Sequence, residues 1–391
     1  MKIGIVLPAT PGYSETFFTN KIKGLESHGH TVVLYVNAAK SGAQNKTTVK
    51  VAPNLSGNFV AVTVMSSWLL FKSFLFHFSA TKKMWQLDSK DGYSFGRKIK
   101  NIIINSHLLS EKLDWLHFGF GTMVFDRENV AQAIGSKMAI SFRGFDIGIY
   151  PLKHPNCYQK TWDKVDKIHV ISDDIANLVV KNGCVAKQKI VKICPAIDSD
   201  YFATTEFEKF DSEIKMISIA RLHWKKGLEY TLEALAIVNQ KGINFHYTII
   251  GDGNEMERLQ FAVHQLGLVR KVTFAGKLSS EDVKNKLQTA NLYLQYSNQE
   301  GFCNAVLEAQ AMGKICIVSD ADGLQENIID GVTGFVVSKR NPLSLANKII
   351  EVLCLSEDEK NNISVNAVAR VKNHFTIEQQ IAAFLKFYSD N

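Results

Sequence analysis

At 391 residues the chain exceeds what one hydrophobic core usually serves, so two domains are expected. With 46% hydrophobic and 21% charged residues it has the composition of an ordinary globular protein, which excludes a fibrous, disordered or disulfide-stapled chain. The net charge of +7 is unevenly held: residues 1–198 carry 25 Lys and Arg against 14 Asp and Glu, and the remainder 20 against 24. A basic first half suits an anionic partner, whether a phosphorylated acceptor, an acidic glycan or a membrane surface. No RNA- or DNA-binding signature accompanies that charge, so nucleic acid is not an expected partner.

Residues 1–8 form an apolar run too short for a signal peptide and read as a first buried strand over 2–7. Pro11-Gly12-Tyr13-Ser14-Glu15-Thr16 follows and leads into a helix that starts near Ser14, runs through Phe17, Ile22 and Leu25, and stops by Gly29. Gly12 permits close approach of a ligand to the backbone, and the helix start offers free donors. Further strands are expected at 31–35, 115–118, 137–142 and 167–171. Between them, residues 68–78 are the greasiest stretch, interrupted by Lys72 and His77 and too short to span a bilayer. Phe71, Phe74, Leu75 and Phe78 share one helical face, so a core or cleft-wall helix is expected, with a membrane-docking helix as the alternative. The cysteines (157, 184, 194, 303, 316 and 354) are scattered without a CxxC pair, as reduced thiols of a cytoplasmic protein would be.

A polar, acidic stretch over 198–213 reads as the linker, after which the strand series restarts at 216–220, 245–250, 272–275, 291–295, 315–319 and 335–337. A helix is expected at 228–240, ended by Gly242. Short apolar runs alternating with amphipathic segments are the pattern of βαβ units on a parallel sheet. The fold class is therefore α/β: two Rossmann-like, doubly wound domains facing across a cleft, with ligands at the carboxyl ends of their strands.

Chemistry concentrates in the second half. Arg221-Leu222-His223-Trp224-Lys225-Lys226-Gly227 follows its first strand. Arg221 offers a planar fork and Lys226 a mobile charge to a diphosphate, while Lys225 reads as solvated. Gly251-Asp252-Gly253 can let a base or ribose approach, or serve as a plain tight turn, and Lys277-Leu278 could line a base pocket. The richest loop is Glu300-Gly301-Phe302-Cys303-Asn304-Ala305-Val306-Leu307-Glu308, between a strand and a helix over 305–312. Asn304 can cap that helix, whose free N–H groups would meet a phosphate, with Glu300 and Glu308 flanking them. Phosphates between hydroxyl-rich groups describe a nucleotide-sugar.

Ile219-Ala220-Arg221-Leu222 with Lys226-Gly227, the Gly251-Asp252-Gly253 turn, and the Glu-x7-Glu loop followed by Ala309-Gln310-Ala311-Met312-Gly313 resemble family 4 of the retaining glycosyltransferases, which have the GT-B fold. The segment from Pro11 to Phe17 and Gly29-His30 are similar to bacterial members that build surface polysaccharides, and Asp114-Trp115-Leu116-His117 and Ser141-Phe142-Arg143-Gly144-Phe145-Asp146 sit where the family keeps matching segments. The resemblance implies that Arg221 and Lys226 bind the donor diphosphate, Glu300 the transferred sugar and Glu308 the ribose. Backbone N–H groups of Gly301, Phe302, Cys303, Asn304 and Ala305 would meet sugar and phosphate, and Gly12 would lie beside the diphosphate. Catalytic work would fall to Glu300, Lys226, Arg221 and His117; Ser14, Glu15, Arg143 and Asp146 are acceptor-side candidates.

By the same resemblance, residues 1–198 form the acceptor domain, 199–375 the donor domain, and 376–391 a helix returning to the first. A hexose would pass from a UDP- or GDP-sugar to an oligosaccharide or lipid-linked acceptor, with retention, in the cytoplasm or against the inner membrane surface. No metal is expected, and Asp198-Ser199-Asp200 and Asp320-Ala321-Asp322 read as accidental matches to a metal clamp. The alternatives are a phosphorylase, a nucleotide-sugar epimerase, or a noncatalytic nucleotide-sugar-binding subunit.

Overall fold

A computed structural model of the chain describes residues 1–12, 16–38, 47–204 and 208–390. It divides into two compact units, Met1–Ile193 with Ile381–Asn391, and Cys194–Gln380. The divisions fall after 193 and 380, against the expected 198 and 375.

The first unit is built on a parallel sheet of β1 (Lys2–Ala9), β2 (Thr31–Ala38), β3 (Thr48–Val51), β4 (Trp115–Phe118), β5 (Lys137–Phe142), β6 (Lys167–Val170) and β7 (Ile190–Lys192), in the order β3-β2-β1-β4-β5-β6-β7. Strands β1, β2, β4 and β5 are buried along nearly their whole length, as strands covered by helices on both faces must be. The edge strands β3 and β7 are additions to the expected set. Both are short, half to fully exposed and interrupted by lysine, so neither carries an apolar run.

The last helix, Ile377–Ser389, gives Phe384, Phe387 and Tyr388 to the core of this unit, beside Ile3, Ile5, Phe18, Trp115 and Ile193. Gly24, in helix Thr16–Ser27, admits it closely: a Cβ there would stand 2.4 Å from Ile381.

The greasy segment departs from expectation. Its helix starts at Phe59, capped by the Asn58 side chain on the Ala61 N–H, and runs to Phe76 before turning at His77 into helix Phe78–Lys90. Of its eighteen residues only Ser73 is buried, so it is no core helix. Of the face expected in the sequence, Phe71, Phe74 and Leu75 are part of an apolar surface that runs all round this helix while Phe78 opens the next one, and only one side leans on helix Phe95–Leu109.

The second unit repeats the design with β8 (Ile214–Ile219), β9 (Phe245–Ile250), β10 (Val272–Gly276), β11 (Leu292–Gln295), β12 (Ile315–Ser319) and β13 (Phe335–Val337), in the order β10-β9-β8-β11-β12-β13. All pairings are parallel. Leu232, Leu235, Tyr247, Ile249, Leu294, Ile317 and Ile349 fill its core. The winding direction reverses between β8 and β11, and at such a switch point the loops leaving the two strands diverge and open a crevice.

Candidate active site

The two loops at that switch point carry the charged residues singled out in the sequence. From β8 the chain passes Arg221, turns through the 3-10 segment Trp224–Lys226, and enters helix Leu228–Gln240 at Gly227. From β11 it runs through Ser297 and Glu300 into helix Asn304–Ala311. Backbone bonds stitch the loops together: the N–H groups of Asn298 and Gln299 donate to the Lys225 carbonyl at 2.7 and 3.2 Å. The Asn298 side-chain amide donates to the Trp224 carbonyl at 2.9 Å. Gly227 makes this approach possible. Its φ is +59°, and a Cβ would lie 2.0 Å from the Tyr296 carbonyl oxygen.

This stitching brings Lys226 and Glu300 into a hydrogen-bonded ion pair, with side chains 16% and 15% exposed. Burial works against the Lys226 ammonium, but the Glu300 carboxylate outweighs it and holds the lysine pKa above its ordinary value. Behind Glu300 lies a buried polar chain. Tyr293 donates to Gln295, Gln295 donates to Ser297, and the Ser297 hydroxyl reaches Glu300 at 3.5 Å. Arg221 is exposed, has no side-chain partner among the described residues, and is close enough for its charge to depress Lys226 and Lys225. Lys225 is half-buried rather than solvated, its carbonyl being the acceptor that joins the loops.

Asn304 is not the cap. Cys303 takes the N-cap position in extended conformation, and Asn304 is the first helical residue. The capping role fails because Asn327 already holds Cys303 from both sides, accepting from its N–H at 3.1 Å and donating to its carbonyl at 2.9 Å. Asn327 is itself fixed by Arg370, which donates to the carbonyls of Asn327 and Glu326. Nothing local marks Asn327, which lies 24 residues beyond the loop it clamps. The first turn therefore presents the N–H groups of Asn304 and Ala305 without intrahelical acceptors.

Glu308, one turn on, has no side-chain partner among the described residues, and burial pushes its carboxyl up to about 7. Burial, with the Glu300 charge, pushes the Cys303 thiol up to about 12, so it stays protonated.

The glycine turn closes one side. A Cβ on Gly251 would meet the Ala220 carbonyl at 1.9 Å, and Leu222 N–H donates to the Asp252 carbonyl at 2.9 Å, seating Gly251-Asp252 against the Arg221 loop. The Gly251 N–H donates to the Gly276 carbonyl at 2.8 Å, which sets exposed Lys277 and half-buried Leu278 beside it. The structure thus gathers Arg221, Lys226, Glu300, Gly301, Phe302, Cys303, Asn304, Ala305 and Glu308 on two stitched loops, flanked by Gly251, Asp252, Lys277 and Leu278. Asp320 and Asp322 are engaged with Lys339, through its N–H and its ammonium respectively, and Asp198 accepts from the Tyr201 N–H.

In the first unit, Gly12 follows β1 at the corresponding switch point, whereas Ser14 and Glu15 lie outside the described residues. His117 is wholly buried: Nδ1 meets the Tyr388 hydroxyl at 2.6 Å and Lys21 at 3.2 Å, and Nε2 meets Ser141 at 2.7 Å. Burial, then the charge of Lys21, drives its pKa well below 6.5, so the ring is neutral. It anchors the last helix and offers no surface to a substrate. Asp146 is also buried, accepting from the N–H groups of Gly121, Arg143 and Gly144 at 3.0 Å each; it shapes backbone and leaves no carboxylate oxygen for an acceptor. Arg143 stacks over Phe17 at 3.8 Å. The sequence alone could not separate these interior residues from surface ones, because strand ends carry both.

Residues 203–370, which span both loops, match the family described as glycosyl transferases group 1. A protein of Escherichia coli (strain K12), provisionally named a colanic acid biosynthesis glycosyltransferase, is 26% identical over 99% of this chain and 100% of its own. The amylovoran biosynthesis glycosyltransferase of Erwinia amylovora is 27% identical over 68% of this chain and 67% of its own. Among solved structures, a Rickettsia africae glycosyltransferase superposes with a TM-score of 0.72 at 19% identity, covering 99% of this chain and 97% of that one. The Anabaena protein HepE, solved with UDP and glucose, gives 0.71 at 16% over 99% of each chain. These structural likenesses are of fold, and the fold is GT-B.

Proposed function

We propose, from the match of residues 203–370 to the glycosyl transferases group 1 family, that the chain transfers a hexose-type sugar from a UDP- or GDP-sugar to an oligosaccharide or lipid-linked acceptor in surface polysaccharide assembly. The transfer proceeds with retention at the anomeric carbon and without a metal, in the cytoplasm or at the inner membrane surface. The observation that carries the reading is the joining of Arg221, Lys226 and Glu300 by two hydrogen-bonded loops at the switch point, beside an open helix start.

The nucleoside diphosphate lies against Arg221, Lys226 and the open N–H groups of Asn304 and Ala305, the Cys303 N–H being held by Asn327. As the glycosidic bond breaks, charge grows on the leaving phosphate, and fixed cations lower the barrier because they need no reorganisation. Glu300, held by Lys226 and Ser297, accepts from the sugar hydroxyls, and Glu308 accepts from the ribose. Departure and attack occur on the same face of the sugar, since a covalent route needs a carboxylate at the anomeric carbon and Glu300 is already committed to Lys226.

Arg221 gives the cleanest test because nothing in the fold leans on its side chain. Arg221→Ala is expected to melt like the parent and to lose about a hundredfold in acceptor-dependent nucleotide release. Unchanged turnover would overturn the reading, and turnover lost in EDTA would remove its metal-independent part.

A further inference from the structure

The helix Phe59–Phe76 is about 27 Å long at 1.5 Å per residue, and the fold does not use it as a core element. Phe59 is 84% exposed, Phe71 57% and Trp68 56%, and Val60, Val64, Leu75 and Phe76 are open as well. A helix apolar on all sides with one side packed leaves a continuous greasy surface that water does not stabilise.

Its two ends show how a covering layer must lie. The N-terminal end is tied through residues 52–58 to β3, which pairs with β2. The C-terminal end turns at His77 into helix Phe78–Lys90, whose Thr81, Met84 and Asp88 are buried in the same unit. Both ends therefore stay on one side, which excludes a spanning orientation and leaves one parallel to a surface.

The charge around it selects the kind of surface. Residues 59–100 hold seven Lys and Arg (72, 82, 83, 90, 97, 98 and 100) and two acids. Both acids are turned inward: Asp88 accepts from Asn101 and Asn129, and Asp91 pairs with Lys164. No exposed carboxylate of this segment answers Lys72, Lys82 and Lys83. A second copy docking through the same patch would set these lysines against their equivalents, as a two-fold interface requires.

We propose that the helix Phe59–Phe76 lies in the headgroup layer of an anionic phospholipid bilayer, its apolar side chains in the acyl boundary and the flanking lysines on lipid phosphates. This deepens the reading of a lipid-linked acceptor by naming the surface on which it would be met, and it rests on that reading only for the acceptor's source.

The test uses the full chain without donor or acceptor, so its result is separate from any assay of transfer. Flotation is compared on phosphatidylcholine vesicles with and without phosphatidylglycerol. Binding is expected on the anionic vesicles and should weaken with salt. It should fall about tenfold in Phe71→Ser/Leu75→Ser and about fivefold for each of Lys82→Gln and Lys83→Gln. Trp68 emission should be quenched by bromine-labelled acyl chains, a signal missing in Trp68→Phe. These positions are exposed, so the variants should keep their fold, which circular dichroism checks. No association with anionic vesicles at low salt, or lysine variants that bind like the parent, would overturn the proposal. So would a concentration-dependent dimer abolished by Phe71→Ser/Leu75→Ser, which would assign the face to a second copy.

Discussion

Glu308 holds its proton to about 7, against an ordinary 4.5, because burial disfavours its charged form and no side-chain partner among the described residues offsets that. The folded state therefore binds this proton more tightly than the unfolded chain. Stability falls as pH rises from about 4.5 through about 7, and the cost is present in full above that window. A ribose that donates hydroxyls to the carboxylate would relieve the cost. Two outcomes follow. Affinity for a nucleotide-sugar, whose diester phosphates do not titrate near neutrality, should rise across the pH range bracketing about 7. In Glu308→Gln that slope should vanish and affinity should drop about tenfold, as for loss of a charged hydrogen bond. Without ligand at alkaline pH, the same substitution should raise the melting temperature. Calorimetry and thermal shift across pH check both, and a Glu308→Gln protein with an unaltered affinity slope would remove the residue from ribose binding. Lys226 behaves oppositely: paired with Glu300 and held above its usual pKa, it stays charged throughout.

Among the elements, the turn Trp224–Gly227 decides whether the site exists, because it rests on the end of β11 with no room for a Cβ. Gly227 and Gly267 have nearly the same backbone, φ +59° and +68°, but Gly267 has nothing within 4 Å of where a Cβ would stand, whereas Gly227 has the Tyr296 oxygen at 2.0 Å. Gly267→Ala should cost about 1 kcal/mol, the penalty of a left-handed conformation alone. Gly227→Ala must also part the loops, and should cost about 2–4 kcal/mol with transfer lost beyond what stability explains. Equal melting temperatures for the two variants would contradict this account of the turn. The same element shows what the sequence could tell. Strands β4, β5, β9, β12 and β13 were legible to the residue because doubly covered strands read as apolar runs between turn residues. The Arg221, Lys226, Glu300 and Glu308 set was legible because each sits one short loop from such a run. Asn327 and the Lys21–His117–Tyr388 contact were not, since their partners lie far along the chain and no spacing announces them. The open face of Phe59–Phe76 was hidden for the converse reason: a greasy run looks the same whether protein or something else covers it.

At the scale of the whole chain, the first unit is completed only by a segment that follows the entire second unit, Ile381–Asn391. Phe384, Phe387 and Tyr388 pack on β1 and β4 side chains, Trp115 donates to the Tyr388 carbonyl at 3.1 Å, and the Tyr388 hydroxyl meets His117. Lys21, buried between the His117 ring and the aromatic side chains of this helix, stands 4.1 Å from the centre of the Phe384 ring, and burial depresses its pKa strongly. Removing the helix would thus expose apolar core and disturb a polar cluster that has no other cover. Phe387→Ala is expected to cost about 3–5 kcal/mol, the usual range for a buried phenylalanine, and Tyr388→Phe about 1 kcal/mol for one lost hydrogen bond, because Lys21 stays on the same ring nitrogen. Both losses should fall on the first unit, because none of these contacts involves residues 194–380. Scanning calorimetry with hydrogen exchange resolved by segment distinguishes the cases. Protection should fall across β1, β4 and β5 and persist across β8, β9 and β11. If instead both sheets lose protection together, the units unfold as one and the last helix is a brace for the whole chain rather than a closing element of the first fold.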